Sequence, residues 1–127
     1  MFIYNGKKLE NVFYESINRK EKENIFFELY IEGIENENKV SVNLLFNIDS
    51  NNLNLLEMEL PTYMNEYLIM NECYFGVNQD FTLIDLEDLN VEFIKIDKNI
   101  YEVIIDSYEN NFNIDIELNL EDKNEEM

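Results

Sequence analysis

The sequence predicts a mainly β fold, an antiparallel sandwich or curved sheet that ends in a three-stranded meander. Alanine, the best helix former, is absent, while Ile, Phe, Tyr and Asn are abundant and favour strands and turns. Several stretches alternate apolar and polar residues, which is the pattern of half-buried strands. The chain has 127 residues and 46% hydrophobic residues. We therefore expect a single β-rich domain over residues 1–120, followed by a flexible acidic tail at 121–127.

Strand and turn signals follow one another through the first part of the chain. Asn5-Gly6 is a hairpin-turn dipeptide between two short flanks, residues 2–4 and 7–9. Residues 24–32 and 39–48 are rich in β-forming residues, and the stretch 33–38 between them suits a turn because it contains Gly and Asn. These patterns predict successive antiparallel strands.

The middle of the chain contains the one candidate helix. Residues 53–61 alternate Leu and Met with Glu and end at the only proline. Beyond it, Tyr and Met residues spaced by four and three positions predict a short helix near 62–71, and a strand fits the same residues. Residues 80–89 predict another strand that enters a turn.

The C-terminal third predicts a meander with strands near 91–97, 100–107 and 112–120. Two tight turns define its register, one at Lys98-Asn99 and one at Asn110-Asn111, since Asn tolerates the positive φ of such turns. A one-residue slip at either turn would move a whole strand's side chains to the other face. The register is therefore a specific prediction.

In this register Ile94 faces Val103, Val103 faces Leu118 and Lys95 faces Glu102. The two turns, placed independently, bring one set of apolar side chains onto a common face, which we predict to be the core face. This set comprises Ile94, Ile96, Tyr101, Val103, Ile105, Ile114, Ile116, Leu118 and Leu120.

The opposite face of the meander is a candidate binding surface. Val91, Phe93 and Ile104 form its apolar centre, and Asp106 faces Asp115 across the strands. Like charges directly opposite are destabilising, so their presence favours a role in recognition. An apolar centre with a charged rim is typical of interfaces. The predicted partner-binding residues are Phe93, Ile104, Glu102, Asp106, Asp115 and Glu117. The alternative is that a helix or second sheet covers Phe93 and Ile104 and leaves the acids solvated.

The charge balance predicts the class of partner. The net charge is −19, and residues 40–94 contain ten acids with no Lys or Arg. Such a field repels nucleic acid and anionic membranes and attracts cationic molecules. We therefore expect a basic protein partner, with no direct contact to nucleic acid or membrane. The N-terminus lacks a signal-peptide pattern, and no apolar run approaches the roughly 18 residues of a membrane span, which predicts a cytoplasmic protein.

The residue content argues against an enzyme, a metal site or a cofactor. Histidine, the usual general base and metal ligand near neutral pH, is absent. Cys73 has no histidine to activate it and is predicted to be a buried structural residue. A calcium-loop pattern that starts at Asp49 lacks a ligand at its fifth position and glycine at its sixth. Carboxylate pairs could hydrolyse glycosides, but with 28 acids such pairs arise by chance.

In composition the chain resembles small acidic bacterial immunity proteins, which neutralise a cognate toxin by covering its cationic active site. The resemblance involves no motif, so it assigns no functional residue. The first alternative is a phage-encoded anti-CRISPR or anti-restriction inhibitor that mimics nucleic acid. Alternate residues on a strand repeat at roughly 6.6 Å, which is comparable with the spacing of phosphates along a nucleic-acid strand. Asp115, Glu117 and Glu121 could supply part of such a row. The second is a structural or assembly protein whose exposed strand pairs with another copy.

Overall fold

The computed structural model describes residues 1–21, 24–48, 68–97 and 100–119. Within these ranges the chain forms ten strands and one short 3-10 turn. The strands are β1 Phe2–Tyr4, β2 Lys7–Lys8, β3 Glu10–Glu21, β4 Asn24–Glu35, β5 Asn38–Ile48, β6 Leu68–Val77, β7 Asp80–Leu83, β8 Leu89–Asp97, β9 Ile100–Ser107 and β10 Phe112–Asn119.

The strands form two antiparallel sheets of five strands each. Sheet A has the order β2-β1-β10-β9-β8, and sheet B has the order β3-β4-β5-β6-β7. Their inner faces contribute to one hydrophobic core, so the architecture is a β-sandwich. The predicted mainly β, antiparallel fold is confirmed.

Two tight turns lie where the sequence predicted them. In the β1–β2 hairpin, Asn5 and Gly6 have φ of 53° and 78°. In the β4–β5 hairpin, Asn36 and Glu37 have φ of 49° and 73°. Positive φ at both central residues is the requirement of the type I′ turn, whose twist matches that of the flanking strands. Asn meets this requirement at lower steric cost than most residues.

The chain passes from sheet A to sheet B at Leu9, which is buried between β2 and β3. The Leu9 amide donates to the carbonyl of Phe2 at 2.8 Å. Gly33 on β4 provides the space for this crossing, because a Cβ at Gly33 would lie 2.8 Å from the Cβ of Leu9. The return from β7 to β8 runs through the 3-10 turn Leu86–Asp88.

Aromatic rings from both sheets meet in the core. The Phe93 ring of sheet A lies 6.5 Å from that of Phe27 and 5.8 Å from that of Phe46, both in sheet B, between ring centroids. Further along the sandwich, Phe112 stacks on Phe75 at 5.2 Å. These contacts fix the two sheets face to face.

The β9–β10 pairing differs from the predicted one by two residues. Val103 faces Ile116, and Leu118 faces Tyr101 two pairs further along. The reason is the turn, which contains the four residues 108–111 instead of two. A shift of two residues keeps every side chain on its predicted face. The core set predicted on β9 and β10 is therefore buried together: Tyr101, Val103, Ile105, Ile114, Ile116 and Leu118.

The β8–β9 pairing differs by one residue, and the predicted faces of β8 are wrong. Asp97 pairs with Ile100, as the predicted turn requires, but an irregularity between Lys95 and Asp97 shifts the rest of the strand. As a result Phe93 faces Val103 and is 5% exposed, whereas Ile94 is 38% exposed. An extra residue in a bulge reverses which side chains face the core.

Ile96, also predicted in the core, lies at this irregularity and is 53% exposed. Other sequence predictions fall outside the described residues: the strand at 53–61, the tail at 121–127, the core position of Leu120 and most of the helix near 62–71. The last residues of that predicted helix, 68–71, belong to β6, in agreement with the strand alternative. Within the described part of the chain, no helix is long and apolar enough to cross a membrane.

Candidate functional site

The outer face of sheet A brings together five carboxylates from three neighbouring strands, and we call it the acidic face. They are Glu92 on β8, Glu102 and Asp106 on β9, and Asp115 and Glu117 on β10. Over the described lengths of these strands the face has no Lys or Arg, because Lys95 pairs with the inward-facing Tyr101. Lys8 on β2 lies at its margin, opposite Ile3.

The strand register places the acidic side chains around two isoleucines. Ile104 on β9 is flanked by Glu92 on one side and Asp115 on the other. In the next row, Glu102 is flanked by Ile94 and by Glu117. Glu102 and Glu117 are thus like charges in a directly facing pair, which is unfavourable in a sheet.

Glu102 experiences repulsion from neighbouring carboxylates of this face. The carboxylate of Asp115, within hydrogen-bonding reach, is the main cause that raises the pKa of Glu102 above its ordinary value, and the charge of Glu92 adds to it. Two carboxyl groups can share such a contact only if one holds a proton. A cation brought to this point would relieve the same repulsion.

Asp106 has a different environment from the predicted one. It faces Asn113, and the Asn113 side-chain amide donates to its carboxylate. The predicted Asp106–Asp115 pair is therefore wrong, and the close like-charge contact is Glu102–Asp115 instead. The two-residue change in register explains the exchange of partners.

Phe93 does not belong to the acidic face. It lies in the core between the sheets, while Ile104 stays on the outer face and is half-buried. The prediction that Phe93 is exposed beside Ile104 is wrong. The alternative, that a helix or second sheet covers both residues, holds for Phe93 and not for Ile104. The remaining five predicted residues share one face: Ile104, Glu102, Asp106, Asp115 and Glu117.

Sequence reasoning missed Glu92 and Ile94 as members of this face. Both are sequence neighbours of Phe93, so the strand alternation indicates that they share the face opposite to that of Phe93. Which of the two faces is outward depends on the irregularity beside Lys95, and no residue type there signals it.

Comparisons with protein-family models, curated proteins and solved structures found no match to this chain. Function is therefore inferred from the chemistry of its surfaces.

The carboxylates on the outer face of sheet B accept hydrogen bonds from neighbouring side chains. The Tyr30 hydroxyl donates to Glu32 at 2.7 Å and lies 3.1 Å from the hydroxyl of Ser41. The Asn43 amide donates to Glu28 at 3.2 Å. These acids have neutral donors beside them, so their charge is partly satisfied within the protein.

Two further contacts on sheet B also provide a carboxylate with a donor or a cation. The Tyr74 hydroxyl donates to Glu72 at 3.0 Å, and this bond is the main cause that raises the pKa of Tyr74. The Lys39 ammonium lies 3.7 Å from Glu32. The carboxylates of sheet B thus serve a local network, whereas Glu102 and Asp115 on the acidic face repel each other.

The described residues contain a buried thiol and no cluster of metal ligands. Cys73 is 0% exposed, as predicted for a structural cysteine, and burial raises the pKa of its thiol to about 12. A thiol with this pKa stays protonated near neutral pH and is a poor nucleophile. Across residues 1–21, 24–48, 68–97 and 100–119, no three His, Cys, Asp or Glu side chains are grouped to hold a metal ion. The surfaces offer hydrogen-bond acceptors and negative charge.

Proposed function

We propose that this chain is a cytoplasmic, non-catalytic binding protein that neutralises a basic protein, and that it acts as an immunity protein against a cognate toxin. The supporting observation is the Glu102–Asp115 contact on the acidic face, where two carboxyl groups approach each other with no Lys or Arg on the described face. The Met1 ammonium donates at 2.6 Å to the backbone carbonyl of Asp115. The contact between the two carboxyl groups disfavours the free protein. A lysine or arginine of the partner, placed between the carboxylates, would convert the repulsion into attraction.

The apolar part of the acidic face suits the same role. Ile94 is 38% exposed and Ile104 is half-buried, and both lie among the carboxylates. Apolar contacts at the centre supply burial, while the surrounding charges govern the rate of encounter and the choice of partner. A basic active site on a toxin is a surface of the required sign.

Nucleic-acid mimicry is the second candidate, and one observation favours it. Asp115 and Glu117 occupy alternate outward positions of β10, so their backbone positions repeat at roughly 6.6 Å. A row of this kind fits a protein that normally holds phosphates. An anti-CRISPR or anti-restriction inhibitor would use it to occupy the nucleic-acid channel of its target.

Assembly through an exposed strand has less support. The edge strands are β2 and β8 in sheet A and β3 and β7 in sheet B. The two long ones, β8 and β3, each have an irregular pairing, and β8 contains Lys95 beside it. Lysines and bulges are devices that protect edge strands from pairing with another chain. We therefore do not adopt this alternative.

Two charge-matched variants test the proposed function. The first combines Glu102→Gln, Asp115→Asn and Glu117→Gln on the acidic face. The control combines Glu10→Gln, Glu15→Gln and Glu37→Gln, which are exposed elsewhere. Both lose the same charge, so a difference between them reports position and not bulk charge. Each is immobilised, exposed to the native lysate at low salt and eluted with a salt gradient.

We expect the native protein and the control to retain the same basic protein, and the acidic-face variant to lose it. Raising salt from about 50 to 500 mM shortens the Debye length from roughly 14 to 4 Å, so association should slow more than dissociation. The captured protein is then assayed for toxicity and for inhibition by this chain. Displacement by added nucleic acid would select the mimicry alternative. Equal loss in both variants would contradict a specific acidic face.

A further inference from the structure

Tyr108 is exposed to an unusual degree for an aromatic side chain. It is the first residue of the β9–β10 turn, and 89% of its surface is accessible. Aromatic side chains dominate the energetics of cores and interfaces because of their large apolar area. An isolated exposed aromatic is common enough, but Tyr108 has surroundings that distinguish it.

The backbone that carries Tyr108 is held from outside the turn. The carboxylate of Asp88, from the 3-10 turn, accepts hydrogen bonds from the amides of Tyr108 (3.1 Å) and Glu109 (3.0 Å). It also accepts from the Ser107 hydroxyl at 2.5 Å. The Ser107 bond is the main cause that lowers the pKa of Asp88, and the two amides add to it. Asp88 therefore remains ionised as the acceptor for this turn.

Ser107 extends the same support to the far side of the turn. Its hydroxyl oxygen accepts from the backbone amide of Asn110 at 3.2 Å and from the Asn110 side chain at 3.0 Å. None of these bonds uses the Tyr108 ring. The turn is thus ordered before any partner arrives, which reduces the entropy lost when the ring is used in binding.

A shallow depression of about 590 Å³ opens beside Tyr108. Its lining includes Asn5 and Gly6 from the β1–β2 turn and Asp106, Asn111 and Asn113 from the meander. The two turns are joined by a bond from the Asn5 amide to the Asn111 carbonyl at 2.9 Å. Its volume is in the range of ligand sites, but its open shape suits a side chain projecting from a protein better than an enclosed small molecule.

Most charges around the depression are negative, and the exceptions are Lys7 and Lys8, which follow Gly6 in the chain. Asp106 lines it, Glu109 follows Tyr108 in the chain, and Glu87 is exposed on the 3-10 turn that provides Asp88. Lys7, which follows Gly6, has its ammonium 3.4 Å from the carboxylate of Glu35. An exposed aromatic ring, amide oxygens and a carboxylate together match a planar cation.

We propose that this depression and the Tyr108 ring receive an arginine from an exposed segment of the protein partner. The guanidinium stacks on the Tyr108 ring and donates to the Asp106 carboxylate and to neighbouring amide oxygens. Arginine fits better than lysine because its guanidinium is planar, stacks on aromatic faces and presents five donors. The inference rests on the proposed function, since it assumes a cationic protein partner, and it assigns a second contact surface beside the acidic face.

The test uses the full chain labelled with ¹⁵N and a short peptide with two arginines in a glycine–serine background. Amide shifts are followed during titration, and the lysine version of the peptide is titrated in parallel. We expect saturable shifts confined to residues 108–113 and to Asn5 and Gly6, with weaker binding of the lysine peptide. Tyr108→Ala should weaken arginine-peptide binding about two- to fivefold, the value expected of an exposed cation–π contact. Tyr108→Phe should bind like the native protein because it keeps the ring.

Phe13→Ala is the matched control, since Phe13 is an aromatic of sheet B that is 49% exposed. It should leave the shifts and the affinity unchanged. Shifts that map to Glu102 and Asp115 instead would overturn the Tyr108 site while leaving the proposed function intact. Shifts that never saturate, or equal affinity for the Tyr108→Ala variant, would also overturn it. Failure of the charge-matched capture experiment, by contrast, would refute the proposed function even if the peptide binds beside Tyr108.

Discussion

The position of Phe93 is the most direct test of the register that defines the acidic face. Phe93 is 5% exposed and packs edge-on against Phe27 and Phe46 of the opposite sheet. Phe→Ala in a core costs about 3–5 kcal/mol through lost burial and the remaining cavity. Phe93 lies on an edge strand and borders a crevice shared with Met70 and Leu86, so the site can partly relax. We therefore expect a loss of about 3 kcal/mol, at the lower end of that range.

The measurement is urea unfolding followed by far-UV circular dichroism, with the free energy taken from the midpoint and slope. Ile94→Ala is the matched control, because Ile94 is the adjacent residue and is 38% exposed. It should cost about 1 kcal/mol or less, in keeping with partial burial. The reverse order, with Ile94→Ala the more destabilising change, would show that β8 has the register without the irregularity. In that case Phe93 would lie on the surface, and the acidic face would have an aromatic centre.

Three other substitutions or probes test separate features. Glu102→Gln should raise the Tm at neutral pH, because the amide removes the charge repulsion from Asp115. Since the pKa of Glu102 is raised in the folded state, the native side chain becomes protonated as pH falls through that pKa, and the gain in Tm should shrink there; a gain independent of pH would refute the cause. Cys73 should react with a thiol reagent only after unfolding, given its burial and a pKa of about 12; rapid labelling of the native protein would place it elsewhere. Gly33→Ala should destabilise the fold by about 1–3 kcal/mol in urea unfolding, since the new Cβ would lie 2.8 Å from that of Leu9.

Whether the sequence predicted the correct face for a side chain depended on whether the register error was an even or an odd number of residues. On β9 and β10 the error was two residues, so Glu102 and Asp115 were still placed on the outer face and Val103 on the inner face. On β8 the error was one residue, so Phe93 and Ile94 exchanged faces. The alternation within each strand was read correctly in both cases. The error lay in the pairing register between strands.

Both register errors have causes that a local pattern does not contain. The β9–β10 turn has four residues because Asp88, about twenty positions earlier in the chain, binds the amides of Tyr108 and Glu109. Without that distant acceptor, Asn110-Asn111 was a reasonable place for a two-residue turn. The irregularity beside Lys95 satisfies the packing of Phe93 against sheet B, which is also a tertiary requirement. Local turn chemistry gave way to long-range contacts at both places.

The exchange of Phe93 for Ile94 changes the kind of partner that the acidic face fits. Residues that dominate binding energy in interfaces are mostly Trp, Tyr and Arg, and the described part of the acidic face has none of them. It offers aliphatic surface at Ile94 and Ile104, with carboxylates around them. The dominant side chains of such an interface must then come from the other protein, and carboxylates select arginine among them. Tyr108 supplies the exposed aromatic ring that the acidic face lacks, and Asp106 belongs to both surfaces. A partner with several arginines on one face could therefore engage both surfaces at once, so that loss of either surface alone would weaken the complex without abolishing it.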